Sequence, residues 1–214
     1  MNVCIPRWID VEGVKNFRDI GGWPIKDGSG YVRERTVFRS AQLGGITKNG
    51  IQTLRHLGIT GVFDFRSDIE LKDQSMRMPE ISGITHYQCP MFKDEDFAPE
   101  KKEENLLNFF QGPEGVFKGY RDMLVKAKDQ YRKIFLYILE HPDDAIIVHC
   151  RMGKDRTGLF FALLLGICGV DDDIIANEFA MTTIGAWEPK KTLEVWAQHL
   201  GITFDQAKEG LSAS

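Results

Sequence analysis

The apolar run Ala145-Ile146-Ile147-Val148 leads into His149-Cys150-Arg151-Met152-Gly153-Lys154-Asp155-Arg156-Thr157-Gly158, and that leads into Leu159-Phe160-Phe161-Ala162-Leu163-Leu164-Leu165. No other stretch constrains the fold as tightly. The first run has the length and β-branched content of a buried strand, and the second reads as a buried helix. A fully apolar strand that feeds a helix belongs to a sheet covered on both faces. The residues between them carry the chemistry. A cysteine ends the strand, an arginine opens the helix, and five residues including one glycine separate them.

A loop of this length closing on a helix N-terminus can turn the amides of Arg151, Met152, Gly153, Lys154, Asp155 and Arg156 into one concavity. Unsatisfied N–H groups and the helix dipole there favour a tetrahedral oxyanion. Gly153 carries no Cβ to oppose a positive φ. Arg156 adds a planar fork that can grip two phosphate oxygens. In such a field Cys150 is expected to react as a thiolate. His149 is expected to fix the loop by side-chain hydrogen bonding, and Thr157 to place a hydroxyl near the sulfur. Each residue alone has a plain structural reading; a cysteine at a strand end is usually a small buried hydrophobe. In this order, between these two runs, they read as a phosphate cradle with a nucleophile at its base.

The loop resembles the active-site loop of the cysteine-dependent protein tyrosine phosphatase superfamily. Together with Asn16-Phe17-Arg18-Asp19-Ile20-Gly21-Gly22, Phe38-Arg39-Ser40-Ala41-Gln42-Leu43 and Asp64-Phe65-Arg66-Ser67, it is similar to the microbial tyrosine/dual-specificity branch. Some members of that branch also accept phosphoinositides. The resemblance runs from about Gly13 to about Thr182, in the expected order. It implies two-step phosphoryl transfer through a cysteinyl-phosphate, with Cys150 and Arg156 catalytic and no metal or cofactor. It also implies that Arg39, Asp64 and Arg66 lie near the pocket and help to position substrate or loop. Read from the residues alone, those three are equally an ion pair that buttresses the loop.

The leaving group needs a proton, and two sources are open. Many superfamily members carry the acid on a separate loop, where Asp94 or Asp96 would fall; this branch associates Asp155 with catalysis. Nine of the twelve residues from Lys93 to Glu104 are charged, the pattern of a solvated loop. Asp155 is therefore the preferred acid. Lys154 reads as a mobile positive charge beside the phosphate, and in the superfamily a basic residue here accompanies lipid phosphatases as well. The expected substrate is a phosphotyrosine protein, with phosphoserine/threonine proteins or a phosphoinositide as alternatives. A catalytically silent phospho-binding module would need Cys150 or Arg156 replaced. A sulfurtransferase is disfavoured by the Arg156-Thr157-Gly158 ending, and an arsenate reductase would need a resolving thiol such as Cys89 or Cys168.

Composition narrows the partners. A net charge of −4 argues against nucleic acid. The cysteines Cys4, Cys89, Cys150 and Cys168 have neither zinc-ligand nor disulfide-scaffold spacing, which fits a reducing, cytoplasmic setting. The start of the chain lacks a signal-peptide core. The longest apolar run, Leu159 to Val170, is shorter than the roughly 20 residues that span a bilayer.

The rest of the chain reads as a single α/β domain, a largely parallel central sheet flanked by helices. Expected strands are Thr36-Val37-Phe38, Gly61 to Phe65, Thr85 to Cys89 and Ala145 to His149. One expected helix is capped by Thr47, runs through Ile51, Leu54 and Leu57, and stops at Gly58. Val116, Tyr120, Met123, Ala127, Tyr131, Ile134 and Ile138 form the core stripe of a long helix. Asp171 or Asp172 caps another, through Ile174, Ile175 and Phe179. Thr203 and Gln206 have capping-box spacing. Residues 183–214 read as a helical C-terminal extension or a lid. Arg39, Asp64, Arg66 and Cys150 follow strand ends, and ligands of open parallel sheets bind beyond those ends.

Overall fold

A computed structural model describes residues 7–97, 112–185, 194, 197–198, 201 and 203–205. Five strands form one sheet in the order β1-β2-β5-β3-β4, where β1 is Arg18–Asp19, β2 Val37–Ser40, β3 Ile59–Asp64, β4 Thr85–Gln88 and β5 Ala145–His149. The last four are mutually parallel, and only β1 runs antiparallel, against β2. The sheet is thus largely parallel, as the sequence implied. Arg39 is inside β2 opposite Val148, rather than beyond the strand end. Thr36, Phe65 and Cys89 lie just outside their strands.

The central strands bury both faces, with side chains alternating by the period of two. Val37, Phe63, Ile146 and Val148 point into a cluster with Ala127, Tyr131, Ile134, Phe160 and Phe161; Phe38, Val62, Ala145 and Ile147 point into the opposite one with Leu43 and Leu54. Helix α1, Lys48–His56, covers this second face; Thr47 caps it by accepting from the Gly50 amide, and Gly58 follows with φ +73°. The first face is covered by α2, Pro113–Glu140, and α3, Asp155–Ile167. Helix α4, Asp172–Ala180, packs on α3 and is capped by Asp171, which accepts from Asp173. Gly158 of α3 meets the Phe179 ring so closely that a Cβ would overlap it. Most of residues 183–214, and with them the extension or lid and the Gln206 half of the capping box, lie outside the described residues.

Candidate active site

The loop leaves β5 at the carboxyl end of the parallel strands and closes on the first turn of α3, with Cys150 buried at its base. Its carbonyls are held from behind. Gln42 donates its amide to the Arg151 carbonyl at 3.0 Å, and Asn16 Nδ2 donates to Met152 and Gly153, each at 3.1 Å. Arg39 Nη2 adds 2.6 Å to the Gly153 carbonyl and 3.4 Å to that of Lys154. In a trans peptide the N–H points opposite to the carbonyl. Each carbonyl drawn outward therefore turns the next amide inward. Among the described residues none accepts from the amides of Arg151 to Arg156. The clamped carbonyls are those of Arg151, Met152, Gly153 and Lys154, which turns the amides of Met152 to Asp155 toward the Cys150 side of the loop. Gly153 has φ +67°, and a Cβ there would run into the Ser40 carbonyl oxygen, so both conformation and space require glycine.

Behind the loop lies a buried charge cluster. Glu178 of α4 receives Arg18 Nε at 2.7 Å and Arg39 Nη1 at 2.5 Å. Thr182 accepts from both arginines, and Arg18 also donates to the Asn16 side-chain oxygen. Burial pushes the Glu178 carboxyl up, but the two guanidiniums outweigh it and keep it below the usual range. The sequence singled out Arg39 and missed Glu178. The available signal was an acid between Ile174, Ile175 and Phe179 on the inward face of α4.

Asp64 ends β3, and Arg66 wraps its carboxylate through Nε, at 2.9 and 3.1 Å, and Nη2, at 2.6 Å. His149 is fully buried, with Nδ1 2.9 Å from the Cys150 carbonyl and Nε2 3.6 Å from Asp64. A carbonyl only accepts, so Nδ1 carries the proton and ties the imidazole to the loop. Burial pushes the imidazole down to about 4, against the attraction of Asp64. Burial also pushes the Asp64 carboxyl up, but His149, His86 and Arg66 together hold it well below the usual range. Asp64, His86 and His149 bring three donor atoms within 4.8 Å of one another, a grouping not visible in the sequence. Arg66 already takes up the carboxylate's charge, so the set suits a structural ion pair better than a divalent ion.

Arg156 projects from the first turn of α3. Its Nη1 and Nη2 each lie 2.8 Å from a Glu70 oxygen, and Nη1 also donates to the Phe65 carbonyl at 3.3 Å. Among the described residues that leaves Nε–H and one Nη2–H without an acceptor; they point the same way and can grip two oxygens of one anion. Burial opposes the guanidinium's charge, but Glu70 and Cys150 more than restore it, and its ionisation lies above the ordinary range. Glu70 was missed by the sequence reading, although Ser67-Asp68-Ile69-Glu70 has capping-box spacing. Its Oε2 accepts the Ser67 amide at 3.0 Å.

The two proposed acids are held differently. Asp155 Oδ1 accepts from the Tyr120 hydroxyl at 2.8 Å. Asp96 is tied down: Oδ1 accepts from Lys126 at 2.7 Å and Oδ2 from the Lys93 amide at 2.9 Å, so it is no free residue of a solvated loop. The side chain of Asp94 lies outside the described residues. Lys154 departs from the expectation of a mobile charge: it is buried, with Nζ 3.6 Å from Asp155. Thr157 is buried on the first turn of α3, its hydroxyl without a partner among the described residues.

Neither described thiol suits Cys150 as a resolving partner. Cys168 lies beyond the far end of the 13-residue α3, about 20 Å of helix away, and lines a cavity of about 250 Å³ beside Ile146 and His141. Cys89 and Cys150 follow aligned residues of β4 and β5 with β3 between them. Two strand spacings make about 10 Å, beyond the roughly 7 Å limit for disulfide Cα atoms. Burial also pushes the Cys89 thiol up to about 11.

Known proteins similar to this chain include phosphatases. Triple specificity protein phosphatase PtpB of Mycobacterium tuberculosis is 28% identical over 193 residues, covering 79% of this chain and 67% of that protein. A tyrosine-protein phosphatase of Nostoc commune is 26% identical over 144 residues, covering 67% of this chain and 47% of its own. The chain thus spans about two thirds and about half of these relatives. The crystal structure of Pseudomonas aeruginosa TpbA aligns over 85% of this chain and 89% of its own, with 16% identity and a TM-score of 0.36. The profile of the tyrosine phosphatase family matches residues 9–208, from ahead of Asn16 to beyond Glu178, and the chain belongs to that family.

Proposed function

We propose that the protein hydrolyses phosphotyrosine in proteins through a cysteinyl-phosphate on Cys150. The observation that carries this reading is the orientation of the loop. Carbonyls clamped outward turn amides inward over a buried cysteine, beside an arginine with one edge left open.

In the first step the Cys150 thiolate attacks phosphorus in line and the ester P–O bond breaks. The amides of Arg151 to Arg156 and the open edge of Arg156 take up charge on the equatorial oxygens, where most phosphoryl-transfer catalysis arises. Asp155 gives its proton to the departing tyrosine oxygen. In the second step water attacks phosphorus and passes a proton back to Asp155; the S–P bond breaks and the thiolate returns. His149 holds the base of the loop through the Cys150 carbonyl, and Arg39, Asp64 and Arg66 brace it from behind.

The phosphoinositide alternative requires Lys154 to be a free charge beside the phosphate. With its side chain 4% exposed and paired to Asp155, Lys154 supports loop geometry more than headgroup recognition. The phosphotyrosine reading is therefore preferred. Phosphate release from phosphotyrosine peptides, phosphothreonine peptides and phosphoinositides, with Cys150→Ser alongside, tests it. Turnover highest on phosphotyrosine and abolished in Cys150→Ser supports the proposal. Turnover confined to phosphoinositides, or surviving in Cys150→Ser, sinks it.

A further inference from the structure

Asp155 opens α3, and its two carboxylate oxygens are not equivalent. Oδ1 accepts from Tyr120 at 2.8 Å and lies 3.6 Å from the Lys154 ammonium. Oδ2 has no partner among the described residues. Tyr120 comes from α2, where its side chain belongs to the inward stripe with Tyr131. The two are eleven residues apart, about three helical turns. Tyr131 donates to the Arg156 carbonyl at 2.7 Å. One face of α2 therefore touches the two adjacent residues that open α3. The Tyr120 ring packs beside Phe179, with centroids 5.8 Å apart. Burial, then the Asp155 charge, pushes the phenol's ionisation above its ordinary range, so the hydroxyl stays a donor.

We infer that Tyr120 is a positioning residue for the leaving-group proton, anchoring Asp155 by Oδ1 so that Oδ2 gives the proton up and takes it back. This rests on the reading of Asp155 as the acid. An aspartate side chain is loosely held about its last torsion, and either oxygen can carry the proton. A fixed phenol removes that freedom in both ionisation states, because Oδ1 accepts whether or not Oδ2 is protonated. Without it, Lys154 is the remaining neighbour of Oδ1 and can draw either oxygen toward itself. The balance is closed. The ester oxygen leaves phosphorus and takes the Oδ2 proton. Water then returns a proton to Oδ2 as its oxygen bonds to phosphorus and sulfur departs.

Tyr120→Phe keeps the ring and its packing on Phe179 and removes only the hydroxyl. The test is the burst rate of leaving-group release from phosphotyrosine, whose leaving group needs a proton, and from p-nitrophenyl phosphate, whose leaving group hardly does. Expected is a loss of about tenfold on phosphotyrosine, a fraction of the ~10²–10⁴ that a general acid supplies. The burst on p-nitrophenyl phosphate and the KM for both substrates stay the same. Equal losses on both substrates, or no loss on either, overturn the inference and leave Tyr120 a packing residue. Asp155→Asn is run in parallel. If it shows no leaving-group dependence, the acid reading itself fails and takes Tyr120's role with it. If it does and Tyr120→Phe does not, only the Tyr120 inference fails.

Discussion

The two sides of the Cys150 loop are built on different principles. Behind it, Asn16, Arg18, Arg39 and Glu178 are at most 3% exposed and come from three separate parts of the chain. In front, Arg156 and Glu70 are 12% and 13% exposed, and Asp155 is 30% exposed. The back sets backbone direction: donors pull carbonyls outward, which turns the amides toward Cys150. It also holds two guanidiniums against one carboxylate, which leaves a buried positive charge beneath the cradle. The front sets side-chain direction, through the Glu70–Arg156 and Tyr120–Asp155 contacts near solvent. Damage behind should therefore appear first as lost folding, and damage in front as lost chemistry.

The largest effect is expected from Glu178→Gln. It leaves Arg18 and Arg39 buried without a counter-charge, and breaking such a pair costs about 3–5 kcal/mol. The urea midpoint should fall accordingly, with activity lost through unfolding. A variant as stable as wild type but inactive would place Glu178 with the front.

Next comes acid sensitivity, which belongs to the base of the loop. His149 is fully buried and pushed down to about 4, chiefly by burial. The unfolded chain takes up its proton near pH 6.5, and the folded protein refuses it until about pH 4. The imidazole's contribution is therefore complete above about pH 6.5 and is lost as the pH falls toward 4. At about 1.4 kcal/mol per pH unit this amounts to roughly 3 kcal/mol over the window. Urea midpoints of wild type and His149→Asn, compared from pH 7.5 to 4.5, check it. The wild-type midpoint should fall more steeply, and parallel curves would remove His149 as the cause.

Asn16→Ala tests whether the back controls the cradle or merely supports it. The substitution frees the Met152 and Gly153 carbonyls from their side-chain donor. Vanadate inhibition should weaken about tenfold, or about 1.4 kcal/mol, together with a loss of folding stability of about 1–3 kcal/mol. Lost stability with unchanged vanadate affinity would show that the carbonyls stay outward without Asn16.

What could be read in the sequence divides along the same line. The strand and helix on either side of Cys150 were legible because burial on both faces demands uninterrupted apolar runs, and Ala145 to His149 fell on β5 residue for residue. Thr47 was legible as a cap, and Asp171 as one of two candidates with Asp172, because capping is local chemistry. β1 was not: two polar residues, Arg18 and Asp19, carry no alternation, and only pairing with β2 makes them a strand. Glu70 and Glu178 were missed because each is defined by an arginine 86 or 139 residues away. Lys154 was misjudged for a related reason. A lysine at a helix start is ordinarily solvated, and only the packed loop around it takes this one out of water.

Glu70→Gln isolates the front and carries the smallest expected effect on folding. The carboxylate holds both terminal nitrogens of Arg156 at 2.8 Å and accepts the Ser67 amide. Burial raises the Glu70 carboxyl, but the Arg156 hydrogen bond and charge outweigh it and keep it below the usual range, so it is a carboxylate while the protein works. A glutamine offers one acceptor and one donor where two acceptors are needed. One guanidinium nitrogen then faces an N–H, and the plane of Arg156 turns away from the angle that leaves Nε and Nη2 open. The pair is partly solvated, so its loss should cost folding no more than about 1 kcal/mol, while kcat falls about tenfold, or 1.4 kcal/mol of transition-state stabilisation. Glu70→Gln should thus keep its urea midpoint and lose rate, the reverse of Glu178→Gln. If both variants lose the same stability and the same rate, the loop is one cooperative unit and the division between its back and front does not hold.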